Sequence, residues 1–168
     1  MKDQDDFVHD IERQARELEE FMGNEMLDII EVEGLTHFEE SFDNEGFTDA
    51  GLEKWRPRKT TDTRGRDITR YRTNRVGRAG ELNRYGRKNQ GRNILTGHDS
   101  GGDKLRNSLR GDKIPGGVEF ASDKEYAEVH NEGSDIMPKR QFMGPSKKLD
   151  ENILNKVDRS LDNIFSGK

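Results

Sequence analysis

From Phe7 to Phe42 the chain repeats apolar residues at a helical step: Phe7, Ile11, Ala15, Leu18, Met22, Met26, Ile29 or Ile30, Leu35, Phe38 and Phe42. Aspartate and glutamate occupy most of the remaining positions, so the pattern is a single apolar stripe on an otherwise acidic surface. Only Gly23 and Gly34 oppose continuity, each at a cost of about 1 kcal/mol relative to alanine. The spacing predicts a helix of up to 36 residues, roughly 54 Å long, bent if anywhere at a glycine. Such a helix outruns the core that this chain can supply. Leu, Ile, Val and Phe make up 34 of its 168 residues, about a fifth, which is the level where chains stop burying enough apolar surface to fold alone. Part of the stripe is therefore expected to meet another subunit; the alternative is that all of it packs on its own domain.

Charge is segregated along the same chain. The net charge of −5 averages an acidic block over 1–53, with 3 Lys or Arg against 18 acids, a basic block over 54–113, with 18 against 6, and a near-balanced remainder, with 8 against 10. Opposite blocks can satisfy each other within one chain or head to tail between copies, and both arrangements suit an assembly. With no cysteine there is neither a disulfide frame nor a thiolate metal site. The first ten residues are acidic and polar, unlike a secretory signal, and no run approaches the ~18 apolar residues of a membrane span. The expectation is a soluble, single-domain chain made in a cytoplasm.

Beyond the helix, "DNEGFTDAGLEKWRPR" reads as a turn that presents Trp55, the only tryptophan, as a plug where helix meets sheet. Residues 54–93 hold 14 Lys or Arg, 3 acids and 5 Gly, without a lasting period of 2 or 3.6, and read as a long loop or arm. Residues 94–147 are expected to form short strands and turns, with Val118 and Phe120 inward on one strand and a short helix over Tyr126, Ala127 and Val129 capped by Asp123 and ended by Gly133. Residues 148–168 close the chain with an amphipathic helix whose Leu149, Ile153, Leu154, Val157, Leu161, Ile164 and Phe165 share one side. The class is α+β, with a small antiparallel sheet.

Sites for chemistry do not assemble from these residues. "GRKNQGRN" at 86–93 has the glycine spacing of a phosphate loop, but Arg92 and Asn93 stand where Lys and Ser or Thr must reach phosphate and magnesium. His98, Asp99 and Asp103 lack a paired-histidine spacing and read as turn formers, and Ser108 and Ser146 lack a nucleophile elbow. No catalytic residue, metal or cofactor is expected. The basic stretch is the strongest binding candidate: Arg64, Arg66, Arg70, Arg72, Arg75, Arg78, Arg84, Arg87, Lys88 and Arg92, interleaved with Tyr71 and Tyr85, suit phosphate tracking along nucleic acid or pairing with an acidic protein surface.

Three segments stand in order: "HFEESFDNEGFTDAGLEKWRPR" at 37–58, "NILTGHDSGGDKLRNSLR" at 93–110 and "EYAEVHNEGSDIMPKRQFMGPSKKLDENI" at 125–153. Together they resemble the phage virion morphogenesis family, the tail completion proteins of Mu-like contractile-tailed phages. The matching positions are Trp55 and Pro57; Ile94, Leu95, Leu105 and Ser108; Tyr126, Ala127, His130 and Gly133; and Pro138, Arg140, Phe142 and Gly144. The chain departs from that pattern in the 35 residues between Pro57 and Asn93 and in the opened "GHDSGGDK" turn at 97–104. The resemblance implies a structural role without a reaction: completing the tail or joining it to the head at the virion neck. There it would act as one copy in a ring, expected to be sixfold, around the DNA channel. Its partners would be itself, other neck, connector or tail terminator proteins and the passing DNA, with no membrane. Trp55, Pro138, Arg140, Phe142 and Gly144 are then expected at assembly interfaces. A reading from another class is a nucleic-acid-binding accessory protein that uses the 54–93 arm.

Overall fold

The computed structural model describes residues 2–59, 62–65, 81–88, 91–96 and 104–166, and for residues 2–5, Tyr85 and Lys88 the backbone alone. It is α+β. A helical run leads, as α1 (Lys2–Glu20), a π-helical turn (Phe21–Glu25) and α2 (Met26–Asp43) without a break. Two hairpins follow: β1 (Gly46–Thr48) with β2 (Leu52–Lys54), and β3 (Leu109–Ile114) with β4 (Gly117–Ser122). Between them lie α3 (Arg84–Lys88) and a 3-10 turn (Leu105–Ser108), and after them α4 (Ala127–Glu132) and α5 (Lys147–Ser166). Among the described residues the expected small sheet is thus two separate two-stranded sheets. The first hairpin lies in the segment read as a turn; the side chains of β2 are all exposed, so no inward alternation marks it.

The π turn changes the helix more than a bend would. The Met26 N–H bonds to the Phe21 carbonyl, a five-residue step. A π turn holds one residue more than an α turn, so it offsets everything before it by about 100° relative to α2. The buried face of α2 consequently continues into Phe21, 2% exposed, whereas Met22, expected on the stripe, is 52% exposed. Burying a phenylalanine contributes about 1.5–3 kcal/mol, and Gly23, at the middle of the turn, gives the least resistance to leaving α geometry.

Gly34 is a seat, not a bend. It lies inside unbroken α2, and a Cβ there would stand 2.2 Å from Cζ of Phe120, whose ring meets Phe38 edge-on at 5.2 Å. Helix α5 runs back antiparallel to the long helix. Its first turn is held by the β1–β2 turn, with the Lys147 N–H donating to Asp49 Oδ1 at 2.8 Å. Lys156 pairs with Glu33 at 2.5 Å farther along, and near its end the Phe165 carbonyl accepts from Gln14 Nε2 at 3.5 Å. Ser146 caps this helix by accepting the Leu149 N–H at 3.1 Å. Leu154 and Phe165, expected on its apolar side, are 59% and 55% exposed, so α5 buries a narrower face than its pattern suggests.

Among the described residues two adjoining clusters make the core. Phe42, Trp55, Ile94, Leu105, Ala127 and Phe142 form one, and Phe38, Phe47 and Leu149 the other, with Leu109 and Met143 packed against both. Helix α4 ends at Gly133 with φ 80°, as expected, but Asp123 does not cap it: that carboxylate pairs with Arg110, and the N-cap position is Tyr126. Among the described residues no helix is long and apolar enough to cross a membrane.

Candidate functional site

The segment from Gly133 to Ser146 joins α4 to α5, and the matched positions of the sequence meet there and at the last turn of α4. Trp55 leaves β2 against Phe42, edge to face at 5.7 Å, and its indole N–H donates to the Gln141 carbonyl at 2.6 Å. Phe142 packs on the other side of Phe42 at 5.3 Å and is fully buried. Its backbone is fixed from two directions. Ser41 Oγ donates to the Phe142 carbonyl at 3.3 Å, and Asn131 Oδ1 accepts the N–H groups of Phe142 and Met143 at 2.9 and 3.0 Å. Asn131 Nδ2 returns a bond to the Met143 carbonyl at 3.0 Å, so one side chain spans the joint.

Arg140 is the charged centre. It is 9% exposed, and its Nε and Nη2 both donate to the Arg56 carbonyl at 3.3 Å. Burial, then the neighbouring Arg58 and Arg56, push its pKa down from the usual arginine value, and the guanidinium still keeps its charge. His130 lies behind it. The His130 carbonyl accepts the Arg140 N–H at 2.8 Å, its ring meets Tyr126 edge-on at 5.8 Å, and its Nδ1 is buried without a hydrogen bond among the described residues. Burial, then Arg140, hold the His130 pKa below the usual imidazole value.

The joint also carries the root of the basic arm. Arg58 Nη2 donates to the Asn93 carbonyl at 2.9 Å, and Asn93 Nδ2 donates to the Phe42 and Asp43 carbonyls at 3.4 Å each. Glu45, with a left-handed φ of 46°, accepts the Ile94 N–H at 2.5 Å, and Arg106 forks onto Asp43 at 2.5 and 2.8 Å. The arm therefore leaves and re-enters at the C-terminal end of α2.

Trp55 and Phe142 are buried in the chain's own core, Trp55 as the plug that its segment suggests, and Arg140 is turned inward onto Arg56. Pro138 and Gly144 are half-buried within the joint, and Gly144 lines an open groove of about 670 Å³ with Ile30, Phe120, Met143 and Ile153. Of the arm, Arg64 is exposed in a turn, Arg84 and Arg87 are exposed on α3 beside Lys88, and Arg92 is half-buried at the re-entry. Arg66, Arg70, Arg72, Arg75 and Arg78, with His98, Asp99 and Asp103, lie outside the described residues. Sequence reasoning missed Asn131 and Glu45: each works through backbone groups far along the chain, and only the run of polar residues beside Gly133 hinted at the first. Compared with family models, curated proteins and solved structures, the chain matches none.

Proposed function

We propose that the chain is a structural protein of a tailed phage virion, completing the tail or joining it to the head as one subunit of a ring at the neck, around the DNA channel. The observation that carries this reading is the ordered series of motif positions over residues 37–153. What supports it further is that positions far apart in that series, Trp55, Arg140 and Phe142, belong to one bonded joint with Phe42. Segregated charge and a helix longer than its own core suit a subunit that is completed by its neighbours. The partners are further copies and the adjoining neck, connector or terminator proteins, and the place of assembly is the host cytoplasm. No reaction and no cofactor are assigned to it. Particles assembled without the chain are expected to appear in electron micrographs as separate heads and tails; normal infectious particles would reject the reading.

A second reading rests on the exposed Arg56, Arg58, Arg84 and Arg87 at the arm's root: an accessory protein that holds nucleic acid. It requires binding at low salt that weakens steeply as salt rises and that drops when several arm arginines become alanine. Binding absent at low salt rejects it.

A further inference from the structure

Helix α1 carries an apolar face that no described residue covers. Phe7, Val8, Ile11 and Met22 are 64%, 52%, 49% and 52% exposed, and Ala15 is exposed between them. Phe7, Ile11 and Ala15 recur at steps of four with Val8 beside them, so within α1 they line a stripe about 12 Å long, and Met22 stands beyond it in the π turn. The seam toward α5 is a different face, formed by Arg13, Glu17 and Phe21 against Ser160, Asn163 and Ile164. The π turn separates the two: it brings Phe21 onto the core side and leaves the stripe about a quarter turn away. Beyond Gln14, which meets Phe165 at the end of α5, the helix continues without a neighbouring element among the described residues.

Charge narrows what can cover this face. Helix α1 has eight acids against three bases, and the ion pairs of its described side chains, His9 with Glu12 and Arg13 with Asp10 and Glu17, all stay within the helix. An occupant must therefore combine apolar groups with positive charge. A second α1 would set acids against acids, and DNA would meet like charge. The 54–93 segment fits: 14 Lys or Arg against 3 acids, interleaved with Ile68, Tyr71, Val76, Leu82 and Tyr85. Within one chain it starts from the wrong end. Its roots at Arg58 and Asn93 are fixed beside Phe42, 31 residues from Ile11 along the helix, or about 46 Å. To reach Ile11 on its own stripe, the stretch between these roots would have to run out and back about three-quarters extended, although Arg84–Lys88 within it are already helical. A second copy laid head to tail brings the arm's root to α1 directly.

We infer that the apolar stripe of α1 is the docking face for the basic 54–93 segment of a second copy of this chain. The inference deepens the ring reading and rests on it for the expectation that copies meet. Such a contact is heterologous, so repetition closes a ring or runs on as a filament. A few half-exposed side chains fall well short of the ~800 Å² per partner of a standard interface, so charge must supply much of the attraction and salt must weaken it.

The test is sedimentation of the full-length chain at low and high salt, with circular dichroism to confirm helix content. The wild type should associate at low salt and dissociate at high salt. Phe7→Ser with Ile11→Ser should weaken association about tenfold or more. Glu12→Lys with Glu19→Lys, and separately Arg70→Glu, Arg72→Glu and Arg75→Glu, should each abolish it, and mixing these two reversed copies should restore it as a mixed species. A wild type monomeric at low salt, an apolar-stripe variant that associates like wild type, or reversed copies that fail to associate when mixed would each overturn the inference. If the apolar-stripe variant still joins heads to tails, the neck function stands and the α1 contact alone falls.

Discussion

At the scale of single residues, the joint between α4 and α5 depends on side chains that serve backbone. Asn131 satisfies two N–H groups and one carbonyl of Phe142 and Met143, and Phe142 is fully buried beneath them. Asn131→Leu leaves those groups unpaired and is expected to lower unfolding free energy in urea by about 1–3 kcal/mol, with Asn131→Asp, which keeps the acceptor, costing less. Equal losses would show that the two N–H bonds contribute little. His130 gives the fold a pH dependence whose sign is fixed. Its folded pKa is lowered by burial and then by Arg140, so below the ordinary imidazole value near 6.5 the unfolded chain takes up a proton that the folded chain refuses. Stability is therefore unaffected at higher pH and is lost as pH falls through that value, and His130→Gln should flatten the melting temperature between pH ~7.5 and ~5.5 relative to wild type. Trp55 was legible as special because it is the only tryptophan, and Arg140 and Phe142 because their spacing follows a pattern. That they face inward was not, because the direction of a side chain in a loop is set by partners such as Phe42 and Arg56 that lie far away in sequence.

At the scale of elements, the long helix, the C-terminal helix and the β4 strand were readable from periodicity, although the α1 part of the stripe is exposed and α5 and β4 cover only part of theirs. The π turn was not readable. One extra residue between Phe21 and Met26 leaves composition untouched and moves the buried position from Met22 to Phe21. The two substitutions that separate these registers are Phe21→Ala, expected to cost about 3–5 kcal/mol, and Met22→Ala, expected to cost well under 1 kcal/mol, both measured by equilibrium unfolding. A regular α-helix through this region would reverse the order. The β1–β2 hairpin escaped for a related reason: its strands are three residues each and β2 is exposed throughout, so no alternation records it.

At the scale of the whole molecule, an acidic helical half and a basic arm are joined at one end of α2, and the described core leaves the far end of α1 apolar and uncovered. A subunit built this way has an exposed apolar stripe at one end and the root of a basic segment at the other, which suits repetition around an axis. The neck reading turns that architecture into a location. Immunogold labelling of purified particles with antibody against the full-length chain tests it most directly: the account predicts gold at the junction of head and tail, and label on the capsid, at the distal tail tip or absent from the particle would contradict it.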